Sequence, residues 1–313
     1  MVKNNKAFEI IVITLLATMA GYIGLSMSIV GIVYPILLTL IGIKSGIKSS
    51  ILSFVLSIIL LGTITSSIEM VILFISYGLL SVVTVYMIRK NYEVSKVMIV
   101  SIAVLLLTTI INIGLNWYIN GINIVSELDN SLSTMIEEQV RVLKTQDFSS
   151  REVSMISSFL NNMADYITAL IPTMLIISST LVSYVNYYIP TKILSKSGRR
   201  NIEVPYFSKL IFPKNSLLGL GVILLLTYSL KYFSQFNYDQ MILNVTMLIF
   251  YVFTLEGLSL VTFVLNKMKI RNIFKYFVIL AIILTGFLNI AIFSIGVIDV
   301  IIDFRKLRKP RST

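Results

Sequence analysis

Two glutamates interrupt long apolar stretches of this 313-residue sequence, and they are the first candidates for chemistry. Glu256 lies well inside FTLEGLSLVTFVLNK (253–267), and Glu69 lies in SSIEMVILF, near one end of an earlier apolar stretch. An ionisable side chain inside a membrane helix is costly, so it is a functional candidate by default, here as part of a solute or proton path. The alternatives are that Glu69 reaches the lipid headgroups, and that Glu256 is a neutral carboxyl group bonded to a neighbouring helix, because burial favours the neutral form.

The stretch 94–119 and the residue after it carry a stripe of polar side chains. Spacings of seven, four, four and four place these residues on one helix face: Ser101, Thr108, Asn112, Asn116 and Asn120. Polarity grows toward the end that holds Trp117. The stripe predicts either one wall of a polar cavity open to the outside, or hydrogen bonds between packed helices, each worth about 1 kcal/mol. The candidate substrate-binding residues are Glu69, Thr108, Asn112, Asn116, Trp117 and Glu256.

Small residues recur four apart in LLATMAGYIG, near the start of the chain. The pairs are Ala17 with Gly21 and Ala20 with Gly24. Small residues at this spacing let the backbones of two membrane helices approach closely. They predict either close packing within this protein or docking of another membrane protein.

Composition restricts the class of protein. The chain is 56% hydrophobic and 13% charged, with a mean hydropathy of +0.89, whereas soluble domains are about a quarter charged. The apolar residues come in blocks of roughly 15–27, which indicates an all-α polytopic transmembrane bundle instead of a soluble helical bundle. The sequence has no cysteine and no histidine, and it shows no phosphate-binding loop, nucleophile elbow or metal-binding spacing. We therefore expect no enzyme activity, no cofactor and no metal.

The net charge of +11 reports topology, because the basic residues fall in short segments between apolar stretches. By the positive-inside rule, we expect a protein of the inner (cytoplasmic) membrane with its N-terminus inside. The same charges favour contact with membrane lipid, and no binding of nucleic acid is expected. The basic C-terminus should also lie inside. A single crossing of the membrane by 274–302 would instead put this C-terminus outside. That stretch is expected to form a short hairpin turning near Gly286–Asn289, unless the pair within 29–63 is miscounted.

The apolar pattern predicts about 8–10 membrane segments, including short hairpins. The expected helices are 8–28, 29–43, 49–63, 67–88, 94–119, 164–189, 216–233, 240–266 and 274–302. They group into a membrane domain (1–189), a basic cytoplasmic loop (190–215), C-terminal membrane helices (216–304) and a basic cytoplasmic tail (305–313). Within the first domain, the polar region 120–163 is expected to be an external insertion with amphipathic helical spacing.

Three stretches carry a resemblance to a known family: VYPILLTLIGIKSGIKSS (33–50), EGLSLVTFVLNK (256–267) and GVIDVIIDFRKLRK (296–309). They resemble the YybS-type multipass membrane proteins, a family of unknown function in Firmicutes, and the resemblance covers nearly the whole chain. Its most specific part is a terminal Gly–x–x–Asp–x–x–x–Asp–Phe–Arg–Lys signature. The signature residues are Gly296, Asp299, Asp303, Phe304, Arg305 and Lys306.

The N-terminal part, about 8–189, is similar to the substrate-binding (S) component of energy-coupling-factor vitamin transporters. Those are six-helix proteins whose ligand site opens outward. Small residues on their first helix contact a membrane coupling subunit, which implies a partner-docking role for Ala17, Ala20, Gly21 and Gly24. The resemblance also implies separate ATPases and a small-molecule ligand.

The first hypothesis is therefore an S-component-like protein that binds or transports a solute and is energised by separate subunits. The rival hypothesis is a non-transport membrane scaffold or regulatory protein. In that case the basic loop and tail would recruit cytoplasmic partners or anionic lipid, and the external segment would contact the cell envelope. An enzyme acting on lipids is less well supported, because histidine and cysteine are missing and the carboxylates are scattered.

Overall fold

The architecture comes from a computed structural model that describes residues 2–65, 68–121, 123–146, 148–198, 202–233 and 237–307, with side chains from residue 6 onward and none for 68–70. Within these ranges the regular structure is helical and no strand is present, so the expected all-α bundle is confirmed. The helices are α1 (Val2–Ser26), α2 (Ser28–Gly31), α3 (Val33–Ser45), α4 (Ile47–Thr65), α5 (Ile68–Arg89), α6 (Val94–Asn120), α7 (Ile124–Lys144), α8 (Ser150–Ala169), α9 (Ile171–Lys196), α10 (Asn215–Ser229), α11 (Tyr238–Lys267), α12 (Asn272–Leu284) and α13 (Gly286–Ile302).

The number of membrane segments agrees with the prediction. Among the described residues, seven helical segments are long and apolar enough to cross a membrane, and two bent pairs raise the number to as many as nine. The bent pairs are α8 with α9, at 61°, and α12 with α13, at 104°. The second bend falls at the expected turn near Gly286, so 274–302 is bent back on itself instead of forming one straight helix.

The chain divides into two compact units. Unit one comprises residues 1–168 and 174–204, and unit two comprises 169–173 and 205–313. In unit one, α1, α3, α4 and α5 pack on one another, and α6 packs on α5. Their apolar core consists of Ala17, Tyr34, Leu38, Leu61 and Phe74, all of them buried.

Buried polar side chains tie the helices of unit one together. Thr39 Oγ1 donates to Asn186 Oδ1 at 2.8 Å, and Asn186 Nδ2 donates to Thr84 Oγ1 at 3.3 Å. The Thr84 hydroxyl also shares a hydrogen bond of 2.9 Å with Ser101 Oγ. All four side chains are fully buried, so α3, α5, α6 and α9 are joined where lipid could offer no hydrogen bond.

Two amphipathic helices, α7 and α8, occupy the polar region between α6 and α9. Helix α8 begins with a capping box, in which the Ser149 N–H and hydroxyl both donate to Glu152 Oε2 at 2.8 Å. These two bonds hold the pKa of the Glu152 carboxyl below its usual value, the backbone N–H having the larger effect. The capping box sets the start of α8 after the turn that follows α7.

Two predicted boundaries around α9 are wrong. The helix expected over 164–189 begins at Ile171, where Pro172 falls in the first turn and needs no N–H donor, so 164–169 belongs to α8. The helix then continues through Pro190 to Lys196, and the predicted basic loop 190–215 therefore starts at residue 197. Leu194, beyond the proline, packs in a buried cluster with Ile43 and Val85. This burial outweighs the backbone hydrogen bond that Pro190 cannot make.

In unit two, α11 and α13 cross in close contact through two glycines. A Cβ atom added to Gly257 would collide with the backbone carbonyl of Ile292, and one added to Gly296 would collide with that of Phe253. Beside this crossing, Leu258, Ile282 and Ile292 form the buried core of the unit. Glycine is therefore needed at both positions for space and not for backbone conformation.

The crossing generates the first prediction. Gly257→Ala and Gly296→Ala should each destabilise unit two by about 1–3 kcal/mol, because backbone atoms must move to admit the methyl group. The measurement is thermal unfolding of the purified protein in detergent. Gly219→Ala in α10 is the matched control, because a Cβ there meets nothing within 4 Å. Equal unfolding temperatures for Gly296→Ala and Gly219→Ala would contradict the close crossing.

Candidate functional site

Unit two buries three ionisable side chains against one another: Glu256, Asp299 and Arg305. The side chains of all three are 0% exposed. Arg305 Nη2 donates to Glu256 Oε1 at 2.6 Å and to Asp299 Oδ2 at 2.7 Å, and Arg305 Nε donates to the same Asp299 oxygen at 3.1 Å. We call these three residues the charged cluster.

Backbone groups complete the charged cluster. Arg305 Nη1 donates to the carbonyl oxygens of Leu210, at 2.8 Å, and Ser208, at 3.3 Å, and to Ser259 Oγ, at 2.7 Å. The second oxygen of Glu256 accepts from the Phe212 N–H at 2.9 Å. Arg305 and Glu256 together therefore join the segment 208–212 to α11 and α13.

Local sequence explains how the three charges meet. Glu256 and Ser259 are three residues apart on α11, so they share a helix face. Helix α13 ends at Ile302, and the next residue, Asp303, adopts a left-handed conformation with φ of 56°. This turn brings the chain back so that Arg305 reaches Asp299, one helical turn before the end, and the Phe304 N–H donates to Asp299 Oδ1 at 3.0 Å.

Electrostatics and geometry define what the charged cluster can do. Two carboxyl groups and one guanidinium group share a site without exposed surface, and each is held by several hydrogen bonds. Breaking such a group by removing one partner leaves an uncompensated buried charge, which costs about 3–5 kcal/mol. Within the described ranges, no group of three histidine, cysteine, aspartate or glutamate side chains is placed to hold a metal ion. The charged cluster is a closed contact that joins α11, α13 and the segment 208–212.

The structure gives Glu256 a different partner from any that the sequence suggested. The sequence offered two interpretations of Glu256: part of a solute or proton path, or a neutral carboxyl group bonded to a neighbouring helix. Neither interpretation included an arginine, because the sequence analysis assigned Arg305 to a basic cytoplasmic tail. Arg305 does not belong to an exposed tail, because it is buried inside unit two. The terminal signature was the available signal, since it places two aspartates and an arginine within one short segment next to apolar helix.

The other signature residues shape the same region. Gly296 lies at the crossing of α11 and α13. Asp303 and Lys306 both adopt positive φ, of 56° and 53°, and so turn the chain on either side of Arg305. The Phe304 side chain is 56% exposed, and the backbone N–H of this residue is the part that bonds to Asp299.

The polar stripe lies on the partly covered face of α6. Asn112 Nδ2 donates to Ser76 Oγ at 2.6 Å and to the Ile72 carbonyl at 3.3 Å, both on α5. Thr108 donates to carbonyls of its own helix, and Asn116 Oδ1 accepts from Asn120 at 2.9 Å. Trp117 is 64% exposed. The side chain of Glu69 lies outside the described part of the chain.

The small residues of α1 contact the protein's own helices. Ala17 and Ala20 are buried at 0% and 7% exposure. A Cβ on Gly21 would lie 2.9 Å from Leu61, and one on Gly24 would lie 2.5 Å from the Cα of Gly31. These contacts favour the packing interpretation, and docking of a partner at this face stays a prediction.

Comparison with known proteins supports the membrane assignment. A family model described as predicted membrane protein (DUF2232) matches residues 10–300. No curated protein and no solved structure matches the chain. The matched range includes Glu256 and Asp299 and ends before Arg305.

The charged cluster generates the second prediction. Arg305→Met should lower the stability of unit two by about 3–5 kcal/mol, because Glu256 and Asp299 would remain buried without their cation. Adding Glu256→Gln and Asp299→Asn to Arg305→Met should restore most of this loss, since no unpaired charge then remains. Thermal unfolding in detergent measures both effects.

Lys306→Met is the control for Arg305→Met, because the Lys306 side chain is exposed and carries the same charge. If Arg305→Met and Lys306→Met unfold at the same temperature, the charged cluster does not stabilise unit two. A triple variant no more stable than Arg305→Met would show that the loss comes from packing and not from charge.

Proposed function

We propose that this chain, which belongs to the DUF2232 family of predicted membrane proteins, binds a small solute in unit one and acts as the solute-binding component of a transporter. This role is that of the S component that residues 8–189 resemble. Energy would come from separate ATPases through a membrane coupling subunit, because the sequence has no phosphate-binding loop. The YybS-type resemblance is compatible with this role, and the positive-inside pattern favours the cytoplasmic membrane as its location.

The helix content of unit one supports the proposal. Five membrane-length segments, containing α1, α3, α4, α5 and α6, lie within it, and most of the 26-residue helix α9 adds a sixth helix. Six helices are what the S-component resemblance implies. The apolar core and the buried polar network together hold these helices as one compact unit.

The observation that carries the proposal is the change in burial along the stripe on α6. Ser101 is fully buried and Leu105 is 3% exposed, so this end of the inward face is closed by packing. Thr108, Asn112 and Asn116, on the same face, are only half-buried. Polarity thus increases where the packing of α6 opens, as expected for one wall of a polar site that is reached from one side of the membrane.

The contact between Asn112 and α5 can be exchanged for a contact with a solute. Its amide bonds to Ser76 Oγ, which is a neutral hydroxyl, and to a helix carbonyl. Hydrogen bonds between membrane helices contribute about 0.6–2 kcal/mol each, so a solute with its own donors and acceptors can compete for them. The chemistry of the lining is amide and hydroxyl, which favours an uncharged polar solute or the polar part of a larger apolar one.

A second function is favoured by a different observation. Arg305 and Glu256 fix the backbone of 208–212, and Lys209 and Lys214 are exposed in or next to this fixed segment. A rigid segment with exposed lysines suits recruitment of acidic cytoplasmic partners or anionic lipid, which is the scaffold hypothesis. Both functions are compatible with the two-unit organisation, since they use different units.

The solute site generates the third prediction. Asn112→Leu and Asn116→Leu should each reduce the amount of co-purifying small molecule at least tenfold, because each removes an amide from the stripe. The measurement is native mass spectrometry of protein purified from its host in mild detergent, followed by identification of the released molecule. Thermal unfolding of each variant establishes that the fold is kept.

Gly114→Leu is the matched control on the same helix. Gly114 is two residues from Asn112, on the opposite face, and a Cβ there meets nothing within 4 Å. The proposal expects Gly114→Leu to retain as much small molecule as the unmodified protein. Absence of any retained molecule from the unmodified protein, together with capture of cytoplasmic proteins that depends on Lys209 and Lys214, would overturn it in favour of the scaffold.

A further inference from the structure

Helix α8 exposes a stripe of large apolar side chains. Met155, Phe159, Met163 and Tyr166 follow one another at spacings of four, four and three, so they lie on one helix face. Their exposed fractions are 58%, 62%, 44% and 61%. This apolar stripe is long enough to cover most of the 20-residue helix.

The apolar stripe is not the face that α8 uses for packing on the protein. Val153 and Ala164 are buried at 6% and 7% exposure, and Ile156 and Leu160 are half-buried on the same side. Helix α8 therefore has two adjoining apolar faces, and the protein covers only one of them. An uncovered apolar face on an otherwise polar helix indicates a partner outside the fold.

Both ends of the α7–α8 segment carry the aromatic residues that are typical of a membrane surface. Helix α6, which is apolar enough to cross the membrane, ends with Trp117 and Tyr118, exposed at 64% and 88% just before α7. Tyr166 lies just before α9 at the other end. Tryptophan and tyrosine are enriched where a membrane helix meets water. We therefore expect the segment to leave the membrane and return to it at the same surface.

The angle between α8 and α9 is compatible with α8 lying along that surface. The two helices are bent by 61° at the break between Ala169 and Ile171. With α9 near the membrane normal, a helix inclined by this angle lies closer to the membrane plane than to the normal. Arg151, Glu152 and Asp165 make α8 too polar to cross the bilayer on its own.

We infer that α8 lies in the lipid–water interface with Met155, Phe159, Met163 and Tyr166 inserted among the lipid chains. The occupant of the apolar stripe is the membrane in which the neighbouring helices are embedded. Attachment is apolar and not electrostatic, because the polar side of α8 has no basic excess. The polar side faces a cleft of about 440 Å³ that includes Ser157 and Asn161 of α8 and Glu137, Arg141 and Lys144 of α7.

The cleft and the apolar stripe lie on different sides of α8. Ser157 and Asn161 are each two residues from a member of the stripe, which on a helix is nearly the opposite side. The amphipathic pattern of α8 therefore fits a helix that has lipid against its apolar stripe and water in the cleft on its other side. The region expected to be an external loop would thus be a surface layer of the membrane-embedded structure.

The chain offers a direct test because it contains no cysteine, so a single introduced cysteine is the only labelling site. Phe159→Cys, Met163→Cys and Ser158→Cys are each spin-labelled in the full-length protein in lipid nanodiscs. Collision of the label with oxygen, which concentrates in lipid, is compared with collision with a water-soluble nickel complex. The oxygen-to-nickel collision ratio should be at least about threefold higher for Phe159→Cys and Met163→Cys than for Ser158→Cys, the matched control on the exposed polar side.

The same labels separate lipid from a second copy of the chain. Spin–spin broadening at Phe159→Cys that disappears on dilution with unlabelled protein would place a second copy on the apolar stripe and overturn the inference. Equal collision ratios at Phe159→Cys and Ser158→Cys would overturn it as well, by showing that the stripe faces water. The ratios are expected to stay unchanged between zwitterionic and anionic lipid and at high salt, because insertion does not depend on charge.

Discussion

A polar group inside a membrane must find its partner within the protein, because lipid chains offer no hydrogen bonds. The charged cluster in unit two shows this constraint most strongly. Arg305 is satisfied by two carboxyl groups, a serine hydroxyl and two carbonyl oxygens, all within 3.3 Å. A buried ion pair adds little net stability compared with an apolar core, but its hydrogen bonds can be formed in only a few arrangements of the surrounding helices. The cluster thereby fixes the register of α11, α13 and the segment 208–212.

Unit one meets the same constraint with neutral groups. Thr39, Asn186, Thr84 and Ser101 join four helices through hydrogen bonds that leave no charge in the core. The hydroxyls of Ser53 and Ser183 are exceptions, since they are buried without a hydrogen-bond partner among the described residues. A core held by neutral groups can exchange partners at lower cost than the charged cluster can. This difference is the physical reason for assigning solute binding to unit one and a fixed, structural role to the cluster.

Much of the fold followed from the sequence, because long apolar blocks in lipid have one stable solution, the helix. The helices ending at Arg89 and Lys267 and the turn near Gly286 were predicted close to their observed positions. The end of α9 was predicted wrongly. The prediction ended the helix before Pro190, because proline lacks a backbone donor, and it did not include the burial of Leu194 beyond the proline. Helix boundaries near proline depend on tertiary packing, which a single sequence does not display.

The candidate sites were predicted less well than the fold. Glu256 was recognised as important from its depth in an apolar helix, but its partner Arg305 is 49 residues away in sequence, in a segment that resembles an ordinary basic tail. Positive-inside reasoning assigns such residues to the surface, and only the left-handed turn at Asp303 returns this one to the core. The spacing of Asn112 and Asn116 was correctly read as one helix face, whereas the hydrogen bond to Ser76 required the neighbouring helix.

Unit one is proposed to hold a solute beside the stripe on α6. The most direct test is an electron cryo-microscopy structure of the protein from its host, in nanodiscs and with a bound antibody fragment to add mass. We expect compact density that is neither protein nor lipid within hydrogen-bond distance of the Asn112 and Asn116 amides. Contact of α6 with α5 along its whole length, with only lipid density around it, would contradict the claim.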